Sequence, residues 1–144
     1  MTLTRIAPLS PSSAQLPYFS FKIPAGFPSP ASDHLEQEIS LDELLGLGAP
    51  HMYLARTSGD SMNGIGIYSG DLLIVDRSKE ARPGDIVIAA VNAEPMVKRL
   101  GSCGKQIVLF SENPVYSPRY ILEGDELLIW GVVRYCVRSL DQHG

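Results

Sequence analysis

Two residues have types and settings that suit acyl-transfer chemistry, Ser61 and Lys98. Ser61 stands in SGDSMNGIGIYSGDLLIVD, residues 58–76, between Asp60 and Met62, where Gly59, Gly64 and Gly66 allow a tight loop. A serine in such a loop is ordinarily a turn residue. Its hydroxyl becomes a nucleophile only with a base beside it, and the usual base is a histidine oriented by a carboxylate. None of the three histidines has a motif around it: His34 lies in the N-terminal region, His51 precedes the first strand-like run, and His143 is in the tail. A lysine can serve when its amine is neutral, which burial promotes because desolvation penalises the ammonium. In PMVKRL, residues 95–100, strand alternation puts Lys98 on the face of Met96 and Leu100, with Val97 and Arg99 on the other. An edge-strand lysine reaching to water has the same local pattern, so the two segments taken singly leave both roles open.

The elements that must position these residues are mostly strands. From His51 onward the runs HMYLARTS, LLIVD, DIVIAAV, PMVKRL, QIVLF, ELLIWGVV and RYCVR are rich in Val, Ile, Leu and aromatics, and SGD, RPGD, NAE, GSCGK and EGDE punctuate them. Seven short strands without a long intervening amphipathic helix predict a compact, mainly β, largely antiparallel domain over residues 51–144. Upstream, Pro8, Pro11, Pro17, Pro24, Pro28 and Pro30 forbid helix and favour extended backbone, which makes residues 1–32 an extended N-terminal arm. The connecting segment, residues 33–50, contains DHLEQEISLDELLGL and predicts one or two helical turns, with Ser40 as N-cap and Gly46 or Gly48 as the stop.

Composition narrows the function classes. The chain has 144 residues, 44% of them hydrophobic, enough for one domain with a real core. A net charge of −4 disfavours direct DNA binding, which relies on clustered Lys and Arg. Cys103 and Cys136 form neither a CxxC motif nor a Cys/His cluster, so no disulfide framework and no metal site is expected. The N-terminus has no unbroken apolar stretch, and nowhere do 18 apolar residues run together, so a cytoplasmic protein is expected.

Taken together, SGDSMNGIGIYSGDLLIVD, GDIVIAAV and MVKRL resemble the serine and lysine segments of the LexA/UmuD-type self-cleaving peptidases. AGFPSPASDHLEQ upstream, and ENPVYSP with WGVV downstream, extend the likeness over most of residues 25–135. With a short arm where LexA repressors have a DNA-reading domain, the chain looks like the UmuD/MucA-like members. The resemblance implies that Ser61 is the nucleophile, Lys98 the general base, Ala25-Gly26 the scissile bond, and the backbone amides of Asp60 and Ser61 the oxyanion hole. UmuD itself has Cys in place of Ala25. Small residues at the bond let its carbonyl approach the hydroxyl, and Pro24 and Pro28 keep the arm extended. The resemblance further implies a homodimer, self-cleavage stimulated by a RecA filament on single-stranded DNA, a role of the trimmed form as accessory subunit of an error-prone UmuC-type Y-family polymerase, and no cofactor. A type I signal peptidase also couples a Ser-Met motif to a lysine but needs a membrane anchor. The alternative from another class is a non-catalytic dimeric regulatory or corepressor module of the same fold.

Overall fold

Apolar runs closed by Gly, Asn and Asp turns build the strands. The computed structural model describes residues 2–8, 15–19 and 35–141, with side chains from Ser40 onward. The chain divides into two compact units, residues 1–8 with 50–144, and residues 9–49.

The larger unit is a mainly antiparallel β structure, as expected. Its strands are β1 (Thr2–Pro8), β4 (Met52–Ser58), β5 (Leu72–Asp76), β6 (Ile86–Val91), β7 (Glu94–Cys103), β8 (Gln106–Phe110), β9 (Arg119–Tyr120) and β10 (Leu127–Val137). They form one sheet in the order β1-β4-β5-β10-β6-β7-β8-β9, and a pairing of Thr2 with Met96 also joins β1 to β7, closing six strands on themselves. Two apolar clusters fill its sides. Tyr53, Ala55, Met62, Ile67, Leu73, Val75, Ile88 and Val97 make the first, and Val87, Ala89, Val91, Leu109 and Val132 the second. Neighbours in β6 thus go to opposite clusters, which is why DIVIAAV is apolar throughout instead of alternating.

Two strands differ from expectation. ELLIWGVV and RYCVR are one continuous strand, β10, whose first half pairs with β6 and whose second half pairs with β5. No turn residue separates them, and ladder irregularities between Ile129 and Gly131 and between Val133 and Tyr135 let the strand bend instead. Gly131 sits at that bend, where a Cβ would meet Val75 and the Asp76 carbonyl. The prolines of the N-terminal region also permit strands within it. Pro8 is the last residue of β1, and Pro17 lies in a two-stranded sheet where one edge needs no donor.

In the smaller unit β2 (Gln15–Phe19) pairs antiparallel with β3 (Leu35–Ser40), which runs into a one-turn helix α1 (Leu41–Leu45). The Ser40 side chain accepts from the Asp42 N–H and Gly46 ends the turn at φ 70°, so the expected cap and stop are both present. LEQEIS upstream of the cap is strand, because pairing with β2 outweighs weak local helical preference. Among the described residues no helix is long and apolar enough to cross a membrane.

Candidate active site

The lysine reaches its place through a hairpin. β6 and β7 are joined by Asn92 and Ala93 at φ 51° and 68°, a two-residue turn whose left-handed pair matches strand twist. That turn fixes the register at Val91↔Glu94 and hence sets Lys98 opposite Val87. A slip by one residue would exchange every side chain between faces. Val97 is fully buried in the first cluster, while Met96 and Leu100 pack on the second, which reproduces the expected alternation around Lys98.

The serine is placed by its neighbour. After β4 the chain makes a loop whose ends are tied by Thr57 N–H to the Asp71 carbonyl at 3.1 Å and Gly70 N–H to the Thr57 carbonyl at 2.9 Å. Within it Met62 is wholly buried in the first cluster, the same cluster that takes Val97. Burying such a side chain is worth about 1.5–3 kcal/mol, so one apolar cluster anchors the residue beside Ser61 and the residue beside Lys98. Residues Asn63–Ile65 then form a 3₁₀ turn that ends at Gly66, φ 86°.

The outcome is a polar pair on an apolar base. Lys98 Nζ lies 3.0 Å from Ser61 Oγ and 2.8 Å from Ser111 Oγ. Ser61 is 1% exposed and Lys98 is half-buried. Burial holds the Lys98 amine below the ordinary lysine range, because removing water penalises the ammonium. The Tyr116 ring lies 5.6 Å from Nζ. A hydroxyl in hydrogen-bond contact with an amine of lowered basicity is an arrangement able to form an alkoxide-like nucleophile once the amine is neutral.

A second segment, residues 111–116, grips the serine loop. Glu112 N–H donates to the Ser61 carbonyl at 2.8 Å, and Gly64 N–H donates to the Glu112 carbonyl at 2.7 Å. Asn113 Nδ2 donates to the Asp60 carbonyl at 3.0 Å, and the Tyr116 hydroxyl donates to the Asp60 carboxylate. Arg99 of β7 pairs with the Glu112 carboxylate. The carbonyls of Asp60 and Ser61 are therefore both engaged by this segment.

The structure brings Ser61, Lys98 and Asp60 together. Ala25 and Gly26 lie outside the described residues. His51 stands 3.6 Å from Asp76. Ser111, Asn113 and Tyr116 carry no role in the sequence reading. ENPVYSP and the hydroxyl just before it were the available signal, but no spacing rule ties them to Lys98.

Known proteins resemble the chain over most of its length. A family model described as Peptidase S24-like matches residues 17–134. Protein SamA of Salmonella typhimurium is 41% identical over 123 residues, covering 85% of each chain. Protein ImpA of Salmonella typhimurium is 38% identical over 122 residues, 84% of this chain and 82% of that protein. A LexA repressor of Bordetella avium is 39% identical over 122 residues, which are 85% of this chain and 57% of the repressor. The chain thus spans little more than half the length of that repressor.

Proposed function

Since the chain belongs to the S24-like peptidases, a family of self-cleaving serine peptidases linked to the SOS response, we propose that it cuts its own backbone between Ala25 and Gly26 with Ser61 and Lys98. The 3.0 Å contact between Lys98 Nζ and Ser61 Oγ carries the proposal. The neutral amine takes the Ser61 proton as Oγ attacks the Ala25 carbonyl carbon. Negative charge develops on the carbonyl oxygen, where the backbone amides of Asp60 and Ser61 stabilise it. The ammonium then returns the proton to the departing Gly26 nitrogen, leaving an ester between Ser61 and Ala25. A water deprotonated by Lys98 releases the ester and restores the serine.

The substrate bond lies between β2 and β3 in sequence, and the flanking residues suit close approach, since Gly26 has no Cβ and Ala25 has a single methyl. An arm that occupies the site only part of the time cleaves slowly. A partner that favours the occupied position, here a RecA filament on single-stranded DNA, raises the rate by shifting that population. The trimmed chain then acts in the cytoplasm as a homodimer and accessory subunit of a UmuC-type polymerase. The likeness to SamA and ImpA over 82–85% of their lengths supports this assignment over that of a repressor.

Incubating purified protein at mildly alkaline pH and weighing the products tests the proposal. Fragments meeting at Ala25-Gly26, absent from Ser61→Ala of unchanged melting temperature, are expected. An uncut parental chain under the same conditions and with RecA filaments would favour the non-catalytic regulatory module. Cutting by Ser61→Ala would remove the serine from the mechanism.

A further inference from the structure

Resting on that dyad, we propose that Ser111 is a positioning residue for the general base: its hydroxyl holds one N–H of Lys98 so that the amine lone pair faces Ser61.

A neutral lysine amine has two N–H bonds and one lone pair, and only the lone pair can accept the serine proton. On its flexible four-carbon stem the amine has no intrinsic preference for presenting that lone pair to Ser61. The contact to Ser111 Oγ, 2.8 Å, is slightly shorter than that to Ser61 Oγ, 3.0 Å. With an N–H committed to Ser111, rotation about the terminal C–N bond is restricted and the lone pair can be turned to the second hydroxyl.

Ser111 can do this because its own place is fixed from two directions. It directly follows β8, whose last ladder partners are Arg99 and Phe110, so it leaves the sheet one residue from the strand that carries Lys98. The next residue, Glu112, exchanges backbone hydrogen bonds with the serine loop, donating to Ser61 and accepting from Gly64, and its carboxylate pairs with Arg99. Both oxygens that meet Nζ are thus set by one connected frame, with the pre-organisation a proton transfer requires. Among the described residues, the titratable and charged groups on the elements around the amine are Asp60, bonded to Tyr116, Glu112, paired with Arg99 of the lysine's own strand, and Tyr116 itself.

The test is the rate of self-cleavage as a function of pH for the full chain, Ser111→Ala, Ser111→Thr and Lys98→Ala, with a melting curve for each. Ser111→Ala is expected to slow cleavage on the order of 10- to 100-fold even on the alkaline plateau, where the amine is already neutral. Its pH midpoint should move down, because the lost oxygen had favoured the ammonium. Ser111→Thr, which keeps the hydroxyl, should recover most of the rate. Parental rate and midpoint in Ser111→Ala, with Lys98→Ala inactive, would overturn the role of Ser111 and leave the dyad standing. So would a slowing that Thr does not relieve, accompanied by an unmoved midpoint. Cleavage by Lys98→Ala would overturn the dyad itself.

Discussion

The loop between β4 and β5 carries two buried polar side chains, each meeting a basic side chain from a distant segment, and the two meetings have opposite consequences. Ser61 and Asp71 are each 1% exposed. At Asp71 the carboxylate accepts from Arg138 Nε at 2.9 Å and Nη2 at 3.2 Å, from the Tyr68 N–H at 2.8 Å and from Cys136 Sγ at 3.1 Å. Burial alone would raise its pKa, but these donors outweigh burial and hold it below the ordinary carboxylate range. Both members of that pair stay charged, and Arg138 also stacks 4.2 Å from the Tyr68 ring centroid. Lys98, by contrast, meets two serine hydroxyls, which offset burial less than a carboxylate does. Its proton is correspondingly easy to lose. The same depth beneath one loop yields a structural ion pair where a carboxylate meets the basic group and a candidate base where, among the described residues, two hydroxyls do.

The sharpest way to break the contrast is to make the cation at position 98 permanent. Lys98→Arg retains positive charge and length, yet a guanidinium does not deprotonate, so self-cleavage should fall to the background rate while the melting temperature changes little. In the parental chain the cleavage rate should climb with pH and level off at a midpoint below about 10.4, the ordinary lysine value, because burial lowers the folded pKa. A rate independent of pH across that range, with the protein folded, would contradict a lysine base.

A smaller effect is expected from loosening the frame. At Gly64 a Cβ would run into the Glu112 carbonyl oxygen, the atom to which the Gly64 N–H donates. Gly64→Ala must therefore push the 111–116 segment off the serine loop. Cleavage should slow by roughly tenfold or more, and stability should fall by about 1–3 kcal/mol, measured by denaturant unfolding alongside a cleavage time course.

The least effect on chemistry belongs to the ion pair. Asp71→Ala should cost about 1–3 kcal/mol at neutral pH by removing an acceptor from several donors, while leaving the pH midpoint of cleavage where it was. Because the folded pKa of Asp71 is depressed, its contribution is present above the unfolded value near 3.9 and is lost as pH falls through the folded pKa. The parental chain should accordingly lose its advantage over Asp71→Ala in acid, as urea midpoints measured from pH 7 down to about 2 would show.

Much of the frame was legible in the sequence because it rests on short-range rules. Ser40 and Gly46 bound their helical turn as cap chemistry requires, and NAE marks a tight turn that the structure places between β6 and β7. The alternation of Met96, Val97 and Leu100 between two apolar clusters follows from pleat geometry alone. The continuity of β10 was not legible, because a strand that changes partners midway has no turn residue to announce the change. Nor was the strand pairing of LEQEIS, which depends on a partner some twenty residues upstream.

By itself the sequence determined the kinds of group available: a loop serine beside a methionine, a lysine in an apolar strand, and the order in which they occur. Their encounter was decided by tertiary structure. Ser61 and Lys98 are 37 residues apart, and Lys98 and Ser111 are 13 apart. No local preference acts over such separations. Three things set those distances: the register of the β6–β7 hairpin, the pairing of β7 with β8, and the burial of Met62 and Val97 in one cluster. Hydrogen bonds are sensitive to tenths of an ångström, while sequence pattern specifies only faces and turns. Ser111 could therefore be recognised only once the packed sheet had brought its hydroxyl to the amine.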